Sequence, residues 1–126
     1  MTNELSTRPL LWVASSKRDL MEMPDEPRRE FGHGLHVAQL GKLPKSGKPL
    51  TGFGGISVME LVEDHESSTY RAVYTVRYPE VVAVLHVFQK KSKQGKKTDK
   101  KDIDLIKSRL KIAEEMYIEW KRSKKK

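Results

Sequence analysis

The chain has 126 residues, which suits one domain with a single modest core. Its 25 lysines and arginines outnumber its 17 aspartates and glutamates, and the formal net charge of +8 predicts attraction to nucleic acid or another acidic partner. It has no cysteine, which excludes disulfides, thiolate catalysis and cysteine-based zinc sites. Because it has neither a long apolar run nor an N-terminal signal pattern, we expect a soluble, cytoplasmic protein with no membrane contact.

The N-terminal part of the chain predicts one strand and two helices. The apolar run from Leu10 to Ala14 reads as a strand, and a short helix then ends near Met23 because Pro24 disfavours helix at the residue before it. Apolar residues recur at helical spacing over Asp25 to Gln39, which predicts a second helix. The segment from Lys42 to Gly55 is rich in glycine, proline and lysine and is expected to be a loop.

The C-terminal part predicts three strands, a basic loop and a long helix. The three expected strands are Ile56 to Glu63, Tyr70 to Tyr78 and Val81 to Phe88. The basic loop covers Gln89 to Lys97, and Thr98 or Asp99 then caps the last helix. The apolar stripe of that helix consists of Ile103, Ile106, Leu110, Ala113, Tyr117 and Trp120.

These elements predict an α+β domain with the order β-α-α-β-β-β-α. The last three strands should form an antiparallel meander in a small sheet, with helices packed on one face and a helix at the C terminus. We expect a single domain over residues 1–126, with frayed ends at 1–8 and 121–126.

Several segments carry a resemblance to a known family. The matching segments are LLWVASSKRDL, KPLTGFGG, MELVEDH, TYRAVYTVRY, VLHVFQKKSK and DIDLIKSRL. In this order they resemble the RelE/ParE superfamily of toxins from bacterial type II toxin–antitoxin systems, and most closely its phage-derived HigB-like branch. The resemblance implies a ribosome-dependent mRNA endonuclease, or RNA interferase, that is neutralised by a small antitoxin, usually of the helix-turn-helix type. It implies no cofactor.

The chain also departs from the RelE pattern in two places. RelE presents lysines from its second strand, where this sequence has Glu60 and Val62. RelE has a catalytic tyrosine after its basic loop, whereas the first tyrosine after the basic loop here is Tyr117, deep in the last helix. Some relatives use a glutamate as general base, and Glu60 is the candidate for that role.

The candidate phosphate-binding residues are cationic. Arg71 is the preferred phosphate ligand because its planar guanidinium suits bidentate contact, although a structural ion pair with Glu60 or Glu63 is the alternative. Lysines that directly follow a buried strand should be well held and should bind phosphate, and one of them could transfer a proton. The candidate catalytic lysines are Lys90 and Lys91, and the candidate RNA-binding residues are Lys93, Lys96, Lys97, Lys48 and Arg77.

Two further candidates carry open alternatives. His86 is predicted to share a strand face with Val84 and Phe88, and it is either a proton carrier or a packed core histidine. Glu60 should lie on the face of Val58, where a carboxylate close to Arg71 is either a proton acceptor or half of a structural ion pair.

No convincing set of metal ligands is visible, since His33 and His36 have no evident third partner. Two other function classes stay open at this point. One is a ParE-like toxin that poisons DNA gyrase, and the other is a non-catalytic basic module that binds RNA or the ribosome. The basic loop joined to the LHVF segment favours cleavage of translated mRNA over gyrase poisoning.

Overall fold

The computed structural model describes residues 7–55, 57–90 and 97–125. Five strands and three helices follow one another in the order β-α-α-β-β-β-β-α. They are β1 (Leu10–Trp12), α1 (Ser16–Met21), α2 (Asp25–Gln39), β2 (Gly47–Pro49), β3 (Val58–His65), β4 (Ser68–Thr75), β5 (Val82–Lys90) and α3 (Lys100–Lys124). The predicted α+β class with a C-terminal helix is confirmed.

The sheet has the strand order β1-β5-β4-β3-β2. The predicted antiparallel meander is present as β3, β4 and β5, whose β-branched and aromatic residues suit a pleated, buried surface. The short strand β1 pairs with β5 in parallel, so that the sheet is mixed and not wholly antiparallel. Parallel strands need a long crossover connection, and here α1, α2 and the strands β2 to β4 all lie between β1 and β5 in the chain.

The strand β2 is absent from the sequence-based prediction, which treated 42–55 as a loop. It comprises Gly47, Lys48 and Pro49 and pairs with β3 at the edge of the sheet. Three residues without apolar alternation give no strand signal, and proline is tolerated in a strand only where its missing N–H faces away from a partner. The pairing sets Lys48 directly opposite Glu60.

The helices cover both faces of the sheet, which corrects the prediction that they pack on one. On one face, Leu20 of α1 and Phe31 and Leu35 of α2 pack with Leu61 and Tyr74. On the other face, α3 packs against strand residues that include Val58, Val73, Ala83 and Leu85. The α3 residues in this second core are Ile106, Leu110 and Ala113. The central strands are apolar at consecutive positions because both of their faces are buried.

The observed ends of the elements also differ from those predicted. β4 ends at Thr75 instead of Tyr78, because the Thr75 hydroxyl bonds the Ser57 carbonyl and accepts from the Arg77 N–H. α3 continues to Lys124, and the fraying expected at 121–126 stays a prediction. Tyr117 stacks on Tyr78 with ring centroids 5.4 Å apart, which holds this end of the helix. The terminal residues 1–6 and 126 lie outside the described part of the chain.

Within the described ranges, none of the helices combines the length and the apolar character needed to cross a membrane.

Candidate functional site

A cleft of about 320 Å³ opens on the α3 face of the sheet, between the β2–β3 edge and the segment that leads into α3. Its lining mixes a carboxylate, two lysines, hydroxyls and a few apolar side chains. The lining residues are Lys48, Pro49, Leu50, Thr51, Glu60, Lys97, Thr98 and Ile103. Three residues singled out in the sequence, namely Lys48, Glu60 and Lys97, therefore share one cavity.

Glu60 lies at the base of the cleft and is only 2% exposed. Its Oε2 accepts two hydrogen bonds, from Arg71 Nη1 at 2.9 Å and from Thr98 Oγ1 at 2.5 Å. Within the described residues, no hydrogen bond reaches its Oε1. One oxygen of this carboxylate is thus anchored by two donors, while the other keeps its capacity to accept a proton.

Arg71 lies beneath Glu60 and is 3% exposed. It sits two residues from Val73, the cross-strand neighbour of Glu60, so that both side chains are on the α3 face. Its Nη1 also contacts Thr98 Oγ1 at 3.3 Å. The structure shows the ion pair with Glu60, which the sequence analysis gave as the alternative to phosphate binding. Both partners are buried, so the loss of either one would leave an uncompensated charge in the interior.

Lys90 points towards the start of α3 and is 7% exposed. Its ammonium group donates to the Lys97 carbonyl and, at 3.0 Å, to Asp99 Oδ1. These bonds tie the end of β5 to the residues before α3 and hold Lys97 beside the cleft, with its own side chain exposed. The predicted cations Lys91, Lys93 and Lys96 fall outside the described residues.

His86 lies on the α3 face but does not line the cleft. Its Nε2 is 2.9 Å from Asp102 Oδ1, and its ring stacks on Phe88 with centroids 4.2 Å apart. Burial lowers the pKa of His86, and the Asp102 carboxylate opposes that shift only in part. The ring Nδ1 is buried without a hydrogen-bond partner in the described part of the chain.

The expectation that His86 shares a face with Val84 is wrong. The register moves from Val73 opposite His86 to Tyr74 opposite Val84, which leaves Leu85 as an extra residue in β5. Such a bulge reverses the alternation, so that His86 keeps the face of Phe88 and loses that of Val84.

Arg77 does not join the cleft. It lies beyond the end of β4, is exposed, and its Nη2 is 3.4 Å from Ser57 Oγ. The other candidate cations of the described chain, by contrast, converge near the start of α3.

Thr98 is the site residue that sequence reasoning missed. It was considered only as a helix cap, whereas Asp99 is the N-cap residue and Thr98 bonds both members of the buried ion pair. A threonine next to a lysine tract has no distinctive pattern, so only its contact across the fold reveals its place. In the described residues, no three histidine, aspartate or glutamate side chains are grouped so that they could hold a metal ion.

The cleft brings cations and a carboxylate together. Lys48, Lys97 and Glu60 all line it, and Lys48 and Lys97 supply the positive charge that an anionic ligand needs. A carboxylate beside fixed cations is the combination needed to move a proton while charge builds on a phosphate.

The comparisons with known proteins identify a family. The model for the family described as "Phage derived protein Gp49-like (DUF891)" matches residues 18–111. No curated protein and no solved structure matches the chain significantly. The matched range runs from α1 to α3 and includes every residue of the cleft. The chain therefore belongs to the Gp49-like phage-derived family, a RelE-like and toxin-like family of toxin–antitoxin systems.

Proposed function

We propose that this protein is a toxin that cleaves mRNA as a metal-independent endoribonuclease, and that its cleft is the active site. The observation that supports the proposal most directly is the position of Glu60, which lines one cavity together with Lys48 and Lys97 and has only its Oε2 engaged by Arg71 and Thr98. A net charge of +8 favours a polyanionic substrate.

The reaction that fits this geometry is attack of a ribose 2′-hydroxyl on the adjacent phosphorus. Glu60 Oε1 accepts the 2′-hydroxyl proton, the new bond to phosphorus forms, and the bond to the 5′-oxygen breaks. The leaving 5′-oxygen takes a proton from a lysine of the basic loop, so the products are a 2′,3′-cyclic phosphate and a 5′-hydroxyl. Lys48 and Lys97 stabilise the charge that develops on the phosphate oxygens.

The role of Arg71 in this proposal differs from direct phosphate binding. Its burial and its bond to Glu60 Oε2 suit a positioning residue that orients the carboxylate, with Thr98 as the second anchor. Lys90 is also a positioning residue, because its contacts fix the segment that carries Lys97 and Thr98. His86 acts one step further away, since its bond to Asp102 holds the first turn of α3 against the sheet.

We further propose that the substrate is mRNA on the ribosome in the cytoplasm, as in HigB-like toxins. A family of toxins implies a cognate antitoxin. The helix-turn-helix type is the expected form of this antitoxin.

Induction of the protein in cells tests the proposed activity. Mapping of mRNA 5′ ends should show new cuts inside translated messages, and the cuts should disappear when translation is blocked. Intact mRNA together with accumulating DNA breaks would instead support a gyrase poison. Growth arrest with neither signal would support a non-catalytic module that binds RNA or the ribosome.

A further inference from the structure

An apolar groove of about 220 Å³ lies on the opposite face of the sheet from the cleft. Its lining is mostly aliphatic and aromatic; the main side chains are those of Ala38, Leu43, Pro49, Met59, Tyr74 and Val76. Ala38, Met59 and Tyr74 belong to the core beneath α1 and α2, whereas the cleft residue Leu50 belongs to the core beneath α3. Pro49 borders both cavities, so the edge strand β2 separates the groove from the cleft.

The rim of the groove exposes large apolar side chains. Leu43 is 67% exposed and Val76 is 39% exposed, although both line it. Leu40, which adjoins the groove residue Gly41 in sequence, is 45% exposed. Single exposed apolar residues are ordinary, but a group of them around a concavity marks a surface that another molecule covers.

Tyr74 adds a polar group to this apolar surface. It is 1% exposed and lines the groove, and its hydroxyl makes no hydrogen bond with the described residues. Burial raises the pKa of Tyr74 to about 12, so its phenol remains a donor at neutral pH. A buried phenol usually finds an acceptor, and the neighbouring groove is where a ligand can supply one.

Two cations stand at the edge of the groove. The backbone of Arg8 is fixed to the end of α2, since its N–H donates to the Gln39 carbonyl at 3.0 Å and Gln39 Nε2 donates to its carbonyl at 2.6 Å. Arg8 and Lys42 both line the groove. Over the described ranges, neither side chain has a carboxylate partner. The groove therefore combines an apolar floor with unneutralised positive charge.

We propose that this groove docks an acidic amphipathic segment of the cognate antitoxin. An apolar side chain of that segment packs against Leu43, Tyr74 and Val76, and its carboxylates meet Arg8 and Lys42. The proposal rests on the toxin part of the proposed function and is independent of RNA cleavage. A segment in this position leaves the cleft uncovered except at Pro49, so binding does not require the residues that surround Glu60.

The test is a calorimetric titration of the protein with its cognate antitoxin. In Leu43→Asp a carboxylate replaces the apolar contact at a position exposed enough to leave folding intact. Met21→Asp is the matched control, because Met21 is 58% exposed on α1 and does not line the groove. We expect Leu43→Asp to weaken binding at least tenfold and Met21→Asp to change it less than twofold. Arg8→Ala should weaken binding more at low salt than at high salt.

Four results would overturn the proposal: an unchanged affinity of Leu43→Asp, an equal loss in Met21→Asp, no complex with the wild-type protein, or a wild-type homodimer in light scattering that Leu43→Asp abolishes. RNA cleavage is measured on the same variants without the partner. If no variant cleaves RNA but the difference in binding persists, the ribonuclease proposal fails and the docking proposal stands. If cleavage is normal and binding is insensitive to Leu43→Asp, the docking proposal fails and the ribonuclease proposal stands.

Discussion

The two faces of the sheet use the same strands for different purposes. On β3, Met59 and Leu61 enter the core beneath α1 and α2, while Glu60 between them points to the α3 face. On β4, Ala72 lies in that same core, while its neighbour Arg71 points to the opposite face. In the described chain, the buried charged and imidazole side chains all lie on the α3 face; they are Glu60, Arg71, His86 and Lys90.

Burial of a side chain has different energetic consequences on the two faces. The α1 and α2 side is stabilised by apolar burial, at about 25 cal/mol per Å². On the α3 side, each buried charge must be paired, and such pairs contribute little net stability compared with apolar residues of the same size. The concentration of four buried polar groups on one face, near the cleft that Glu60 lines, supports the proposed site.

The largest expected effect comes from breaking the buried ion pair. Arg71→Ala leaves the Glu60 carboxylate without its main partner and should destabilise the protein by about 3–5 kcal/mol. Arg77→Ala is the control, because Arg77 is exposed and should cost less than about 0.5 kcal/mol. Guanidinium unfolding of both variants measures the difference. Equal stabilities would mean that the polar face does not depend on the pair.

The cations at the rim of the cleft should affect binding and not folding. Lys48→Ala combined with Lys97→Ala removes two exposed charges and should weaken RNA binding about tenfold at low salt. The slope of log K against log salt should fall by about 1.4, at about 0.7 for each lost phosphate contact. Lys17→Ala combined with Lys111→Ala removes the same charge elsewhere. An identical change of slope in this control would show that RNA binding follows net charge and not the cleft.

The pH dependence that comes from His86 should be the smallest of these effects. Burial lowers the pKa of His86 below its ordinary value of 6.5, so the unfolded chain takes up this proton at a higher pH than the folded chain. The contribution of His86 to stability is therefore complete above about pH 6.5 and is lost as the pH falls through the folded-state pKa. His86→Gln should flatten this loss, whereas His33→Gln, on an exposed position of α2, should not. Unfolding midpoints at about pH 7.5 and pH 5.5 measure both. A loss in His86→Gln as steep as in the wild type would contradict this account.

The elements whose apolar residues recur at a regular spacing could be predicted from the sequence. Those that depend on contacts between distant parts of the chain could not. The meander and the apolar stripe of α3 were predictable because their burial repeats along the chain. The strand β2 was not, since its three residues become a strand only by pairing with β3. The bulge at Leu85, which turns His86 to the α3 face, likewise has no local pattern.

The site shows the same limit. Glu60, Lys48 and Lys97 were identified as separate candidates from residue type and resemblance, and the fold brings them into one cleft. Glu60 contacts Arg71, which is 11 residues away in the chain, and Thr98, which is 38 residues away. A pairing over such distances cannot be read from local spacing, and here it changes Arg71 from a phosphate ligand to a positioning residue in the proposed mechanism.

The most direct measurement compares two neighbours on β3, Glu60 and Leu61, in single-turnover cleavage of an mRNA on the ribosome. Glu60→Gln keeps the size of the side chain and removes the proton acceptor, so cleavage should slow by about 10²–10⁴-fold. Leu61→Ala should cost about 2–5 kcal/mol of stability through the cavity that it creates. Where Leu61→Ala is still folded, its cleavage rate should stay within about threefold of the wild type, because its side chain faces away from the cleft. A Glu60→Gln protein that cleaves at the wild-type rate would contradict the assignment of the cleft as the active site.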